Sequence, residues 1–198
     1  FDPGDFELGD VGALFRAAES VSGSRQGQTL QIVDYSAGLV SMSVSTNPES
    51  RAVFFNPDGT LLPTLDFTSL WGLRQGYAEV VGPRGAASAL GFGSSVGVYL
   101  DSPREADGSY RRRLRTARTP TIVTPRSDAA TLPAFDPARV RPEVVWAVLD
   151  GMLTAETFTL DQEWSCVAAD REGTGTPRLY FTVGDRSVVT DLDGGSVE

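Results

Sequence analysis

Histidine and lysine are absent from this chain, and cysteine occurs once. Each absence removes a class of chemistry. Without histidine there is no side chain that titrates unperturbed near neutral pH, and the commonest general base and metal ligand is missing. Without lysine there is no Schiff-base chemistry and no phosphate-binding lysine of the P-loop kind. One cysteine excludes an intramolecular disulfide, so the fold rests on its core. No window is apolar for the ~18 residues a transmembrane helix requires, so no membrane span is expected. The chain starts at Phe1 rather than Met, and the expectation is that a leader or an upstream segment precedes it.

What remains is ordinary globular material: 198 residues, 40% hydrophobic and 22% charged, with a net charge of −9. All 17 basic residues are arginine. The charge is unevenly spread. Residues 1–100 carry ten acids against five arginines, residues 101–141 five against nine, and residues 142–198 eleven against three. The acidity of the whole chain argues against non-specific nucleic-acid binding.

The stretch around which the rest is arranged is Arg51–Leu61 (RAVFFNPDGTL), because Arg186–Ser196 (RSVVTDLDGGS) repeats it. Arg51, Val53, Asp58 and Gly59 fall on Arg186, Val188, Asp193 and Gly194 at a constant offset of 135. Both copies read as a short strand closed by an Asp-Gly turn. An apolar-periodic helix precedes each. In the first, Asp10 caps a helix starting at Val11, with Leu14, Phe15, Ala18 and Val21 on its apolar side. In the second, Val140–Leu153 places Pro142 in the first turn and Val144, Val145, Val148, Leu149 and Met152 along one stripe.

Strands are expected at Thr29–Tyr35, Leu39–Ser45 and Arg51–Asn56, the first two joined by a turn at Ser36-Ala37-Gly38. Leu39–Ser45 alternates Val40, Met42 and Val44 with serines, the pattern of a strand with a wet outer face. Thr68–Gln75 reads as a short helix with Leu70, Trp71 and Leu73 on its apolar side. Gly82-Pro83-Arg84-Gly85 is a turn, Gly91–Leu100 a glycine-interrupted strand, Tyr110–Ala117 its hairpin partner, and Thr119–Val123 an edge strand. Thr157–Val167 is β-rich, with Thr159-Leu160 aligned on Thr29-Leu30. Tyr180–Val183 and Val188–Leu192 form the last hairpin.

The fold class is therefore α+β: two α-β-β-β units with mainly antiparallel sheet and a β-rich insertion between them. The expected division is 1–64 for the first unit, 65–123 for the arginine-bearing insertion, 124–137 for a proline-rich linker and 138–198 for the second unit, with all four able to pack as one compact domain.

On element order and the closing Asp-Gly, residues 11–61 and 140–196 resemble PepSY-type domains and the tandem repeats of secreted β-lactamase inhibitor proteins. Gly27, Leu30, Ile32, Phe55 and Gly59 also give the first unit a similarity to the effector-associated modules of bacterial signalling proteins, with one residue more in each gap. Both resemblances imply non-catalytic interaction modules.

Few residues invite a chemical reading. Arg111, Arg112, Arg113, Arg115 and Arg118 are the densest charge in the chain, a candidate binding surface for phosphate, nucleic-acid backbone or an acidic protein, since the guanidinium fork suits both phosphate and carboxylate. The competing reading pairs them with Asp101, Glu105, Asp107 or the acidic last third. Only Tyr99 and Tyr110 lie near, too few for base stacking. Gly91–Gly97 is GxGxxxG rather than GxGxxG and reads as a turn or bulge. Asp191–Gly194 has the opening of a calcium loop without its twelfth-position acid. Asp161 and Glu163 share a strand face, but a glycosidase needs two carboxyls about 5–10 Å apart in a cleft. Cys166, with no base beside it, reads as a small buried side chain. Trp71, Trp146 and Trp164 read as core or interface.

The sequence thus predicts no catalytic residue, cofactor or metal. The expected function is a non-enzymatic protein-interaction or assembly module, binding another protein or itself. Anion or nucleic-acid binding through residues 111–118 is the alternative, and a carboxylate-dependent hydrolase the third.

Overall fold

The computed structural model describes residues 1–34, 39–46, 52–82, 85–127 and 131–197. It is an α+β fold with two antiparallel sheets, one of three strands and one of seven. The chain divides into two compact units: Phe1–Thr64 with Arg118–Ile122, and Leu65–Ala117 with Val123–Glu198. Each has its own apolar core.

In the first unit, helix α1 (Val11–Ser22) starts where Asp10 accepts a hydrogen bond from the Ala13 N–H and stops at Gly23, left-handed at φ 75°. Strands β1 (Thr29–Asp34), β2 (Val40–Ser45) and β3 (Ala52–Phe55) form a meander with β2 in the centre. Leu14 and Ala18 of α1 pack with Met42, Val44, Val53 and Phe55. Two expectations change here. Val21 is exposed rather than on the packed stripe. The serine face of β2 is not wet: Ser41 and Ser43 are buried, with Val33 and Phe54 opposite them on the flanking strands. The turn expected at 36–38 and residue Arg51 lie outside the described residues.

The second unit opens with α2 (Leu70–Val81), capped by Ser69 and longer than the Thr68–Gln75 helix expected. Its contact face is made partly of glycine. A Cβ on Gly72 would lie 1.9 Å from the Asp66 carbonyl oxygen, and one on Gly76 would lie 2.8 Å from Val98. That close approach buries Leu73 and Val80 and turns Trp71 outward, 55% exposed, so Trp71 is not core. Strands β4 (Ala89–Gly93) and β5 (Gly97–Asp101) replace the single strand expected over 91–100, and Ser94–Val96 reverse the chain between them. Pro83 and Arg84, in the turn expected after α2, lie outside the described residues.

Strand β6 (Tyr110–Arg115) pairs with β5, and β7 (Ile122–Arg126) forms the sheet edge, where Pro125 is tolerated. In the segment expected as a linker, residues 128–130 lie outside the described residues. Phe135 is buried and exchanges backbone hydrogen bonds with Ala87. Helix α3 (Pro142–Thr154) buries Val144, Val145 and Leu149 of the expected stripe. Strand β8 (Trp164–Ala169) starts later than the β-rich run suggested, because Thr159–Gln162 closes a turn, the Gln162 N–H bonding the Thr159 carbonyl. Strands β9 (Arg178–Val183) and β10 (Arg186–Thr190) complete the sheet in the order β10-β9-β8-β4-β5-β6-β7. Trp164 and Cys166 are core.

The repeat noticed in the sequence is built bond for bond. In the first copy the Asn56 N–H donates to Thr60 O, the Gly59 N–H to Asn56 O and the Leu62 N–H to Phe54 O. In the second, Asp191 donates to Gly195, Gly194 to Asp191 and Val197 to Val189, each 135 residues later. Gly59 (φ 80°) and Gly194 (φ 88°) are both left-handed, and each lies against its own helix, beside Leu14 and Val144 respectively.

The meanders correspond too. Rows Leu30–Val44–Val53 and Ile32–Met42–Phe55 in one are matched by Cys166–Phe181–Val188 and Ala168–Leu179–Thr190 in the other. Leu30 therefore corresponds to Cys166, not to Leu160, which lies outside the strands and is exposed. The middle of the chain repeats the order a third time, as α2 followed by β4, β5 and β6. Its rows are Phe92–Val98–Arg115 and Leu90–Leu100–Arg113, with arginines on the third strand where the other two units have Val53 and Phe55, or Val188 and Thr190.

Candidate functional site

Strand parity decides what the arginine-rich strand presents. Arg113 and Arg115 share the face of β6 that packs against α2, while Arg112 and Leu114 share the other. The Arg115 side chain is 0% exposed, with Nε 2.6 Å from Oε2 of Glu79 on α2, and it also donates to the Thr116 carbonyl. Arg113 reaches the last turn of α2, donating to the Glu79 carbonyl at 3.3 Å. A cation at a helix C-terminus is favourably placed, although burial lowers the proton affinity of this guanidinium.

On the opposite face Arg112 grips Asp101 with two bonds, of 2.7 and 2.8 Å. Its guanidinium lies 4.1 Å above the centre of the Tyr99 ring. Hydrogen bonding to Asp101 raises the Arg112 pKa. Burial pushes the Tyr99 phenol up, with Arg112 pulling the other way. Arg111 is exposed and 3.4 Å from Glu105. Arg118, also exposed, belongs to the first unit and lines a cleft of about 660 Å³ with Val21, Val53, Phe54, Leu61 and Leu62. Four of the five arginines thus bond acidic groups or carbonyls of their own unit, Arg113 and Arg115 sharing Glu79.

The remaining candidates resolve locally. Gly91–Gly97 supplies part of β4 and the turn into β5. Asp191 accepts from the Asp193 and Gly195 N–H groups, which makes it the organiser of its own turn. Glu163 receives a hydrogen bond from Ser95 at 2.5 Å, while Asp161 stands exposed in the turn before β8. Burial raises the pKa of the Cys166 thiol far above its ordinary value, the reverse of what a nucleophile needs. Among the described residues no group of three or more Cys, Asp or Glu side chains is arranged to hold a metal ion, and no helix is long and apolar enough to cross a membrane.

Two surface features were not singled out in the sequence. The first is the sheet face opposite α2 and α3. There Tyr180 of β9 lies under the Arg171 guanidinium, 3.9 Å from the ring centre, and repeats the Tyr99–Arg112 stack. Asp170 holds the loop that presents Arg171, accepting from the Thr174 and Gly175 N–H groups. Burial raises the pKa of Asp170, and these bonds outweigh it, leaving a net depression. The alternation Leu179-Tyr180-Phe181 was the available signal, because it sets Tyr180 on the face away from the core.

The second feature is an apolar groove in the second unit between α3 and the edge strand β10. It has two adjoining lobes of about 410 and 250 Å³. Val144, Val148 and Met152 of α3 form one wall, and Phe181, Val183 and Val188 of the sheet form the other. The groove exists because the sheet extends one strand past the reach of α3, so that Val148, Met152 and Val188 stay only partly buried.

Comparison with protein-family models, with curated proteins and with solved structures gives no match to this chain.

Proposed function

We propose that this chain is a non-enzymatic module that binds another protein, with the groove between α3 and β10 as its binding site. The observation that carries the reading is the groove itself. Val148 and Met152 of the helix and Val188 of the sheet, all only partly buried, leave apolar surface open beside an edge strand, an arrangement suited to a peptide segment rather than to a reaction. The commitment of Arg112, Arg113 and Arg115 to Asp101 and Glu79 supports it, since it leaves those arginines little capacity for an external anion.

The test is photo-crosslinking in the organism of origin, with p-benzoylphenylalanine at Val148 or Met152 and, as controls, at Leu160 and Trp71. A discrete adduct of defined mass from the groove positions alone supports the reading. Equal labelling from all four positions, or none from the groove, overturns it.

A further inference from the structure

Of the five arginines between 111 and 118, Arg118 alone has neither an ion pair nor a hydrogen bond among the described residues. It lines the cleft of about 660 Å³, whose walls all belong to the first unit. That volume is within the range of small-molecule pockets, roughly 300–1,000 Å³.

The cleft is apolar and open. Val21, in the last turn of α1, is 61% exposed, and Leu61, after β3, is 40% exposed. Phe54 and Leu62 in the same lining are half-buried. Two of the six large hydrophobic side chains exposed among the described residues therefore meet at this one place. The lining holds no carboxylate and, apart from Arg118, no charge. In a chain with 26 acids and a net charge of −9, a cation left without an acid beside apolar surface reverses the rule that Arg112 and Arg115 follow. Of the polar side chains, Ser22 is committed, accepting from the Ser24 N–H and donating to the Ser24 carbonyl. Thr64 is exposed, and its hydroxyl has no partner among the described residues.

We infer that this cleft binds a small amphipathic monocarboxylate, an alkyl chain ending in one carboxylate. Arg118 receives the head, and Val21, Phe54, Leu61 and Leu62 receive the chain. Both halves of the ligand follow from the lining. A guanidinium fork holds a carboxylate with two parallel bonds. One unpaired fork balances one negative charge, whereas a phosphate monoester carries nearly two at neutral pH. A peptide would bring an amide into the cleft with every residue, and amides buried without partners are costly. Beyond Arg118 and Thr64 the lining has no uncommitted polar side chain to meet them, and an alkyl chain needs none. The cleft belongs to the first unit and the α3–β10 groove to the second, so the two readings stand or fall separately.

The test is isothermal titration of the whole chain with octanoate below its micelle-forming concentration. Saturable binding of one molecule per chain is expected. 1-Octanol and octylammonium, with the same chain and no anion, are expected to bind about tenfold or more weakly, because the charge-assisted bonds to Arg118 are lost. Arg118→Gln is expected to weaken octanoate by a similar factor and to erase its advantage over 1-octanol, which a mere loss of packing would leave in place. Leu61→Asp, a change at an exposed position, is expected to abolish binding, and Arg111→Gln, at an exposed arginine of the second unit, to leave it unchanged. Thermal melts check that each variant is folded.

Absence of saturable octanoate binding overturns the inference. So does equal affinity for octanoate and 1-octanol, or uptake of several molecules per chain with no response to Arg118→Gln and Leu61→Asp. Tighter binding of an acetylated tetrapeptide ending in a leucine carboxylate also overturns it, by assigning the cleft to a chain terminus.

Discussion

The Nε of Arg115 lies 2.6 Å from Oε2 of Glu79, and the whole guanidinium side chain is withdrawn from solvent at a position occupied by Phe55 and Thr190 in the other two meanders. A buried cation is tolerable only with its partner in place. Glu79→Leu, which strands Arg115, is expected to cost about 3 kcal/mol. Joining it to Arg115→Met is expected to recover most of that loss, because an apolar pair of similar volume is close to neutral at such sites. Urea denaturation midpoints of the two single variants and the double variant check this.

A second prediction concerns Gly91 and Tyr99, neighbours across β4 and β5. A Cβ on Gly91 would lie 2.1 Å from the Tyr99 ring, so the ring lies where only glycine leaves room. Gly91→Ala is expected to destabilise by about 2 kcal/mol through overpacking and to break the Tyr99–Arg112 stack. In a Tyr99→Ala background the same change is expected to cost much less. A double-mutant cycle measures the coupling, and simple additivity would contradict the packing argument.

The pH dependence follows from Asp170. Its native pKa is depressed by the loop N–H groups below the ordinary 3.8. The native state therefore holds its proton less tightly than the unfolded chain does. The resulting stability is complete above the unfolded value and is lost as pH falls through the native one. Asp170→Asn is expected to flatten the acid branch of the melting-temperature profile and to leave the branch above pH 5 parallel to that of the parent. Asp58 and Asp107, depressed chiefly by hydrogen bonds from Thr60 and Ser109, act in the same direction from exposed turns.

Cys166 gives a simple probe of global opening. Its thiol is fully buried with a raised pKa, so it is expected to resist a thiol reagent such as DTNB in the native protein and to react completely in denaturant. Fast labelling of the native chain would show that the centre of the seven-stranded sheet opens locally.

Much of this architecture was readable from residue patterns. Asp10 caps α1 as expected, the α3 stripe packs on the core, and the Asp-Gly turns at 58–59 and 193–194 form the same hairpin. The misreadings share a cause: contacts that no local pattern encodes. The serines of β2 are buried with Val33 and Phe54 opposite them across the strands. Trp71 faces outward because the glycines of α2, which look like helix weakeners, set its inner side: Gly76 lies against Val98 of the sheet and Gly72 against the Asp66 backbone before the helix. Gly91–Leu100 is two strands because Gly97, at φ 92°, turns where the Arg115 carbonyl leaves no space for a side chain. Of the candidate site, the arginines were visible but their pairing with Glu79 was not. The groove was invisible because Met152 and Val188 meet only when α3 and β10 are brought together.

The pairing of β4 with β8 carries a consequence for biosynthesis. These strands sit side by side in the centre of the second unit, yet Gly91 and its neighbour Val167 are far apart along the chain. While the ribosome is still translating, β4 can zip to β5, but its inner margin, including the almost wholly buried Leu90 and Phe92, stays bare until residues 164–169 emerge. A nascent chain paused before that point would display a naked apolar strand, and this interval is when the protein most needs a holding chaperone.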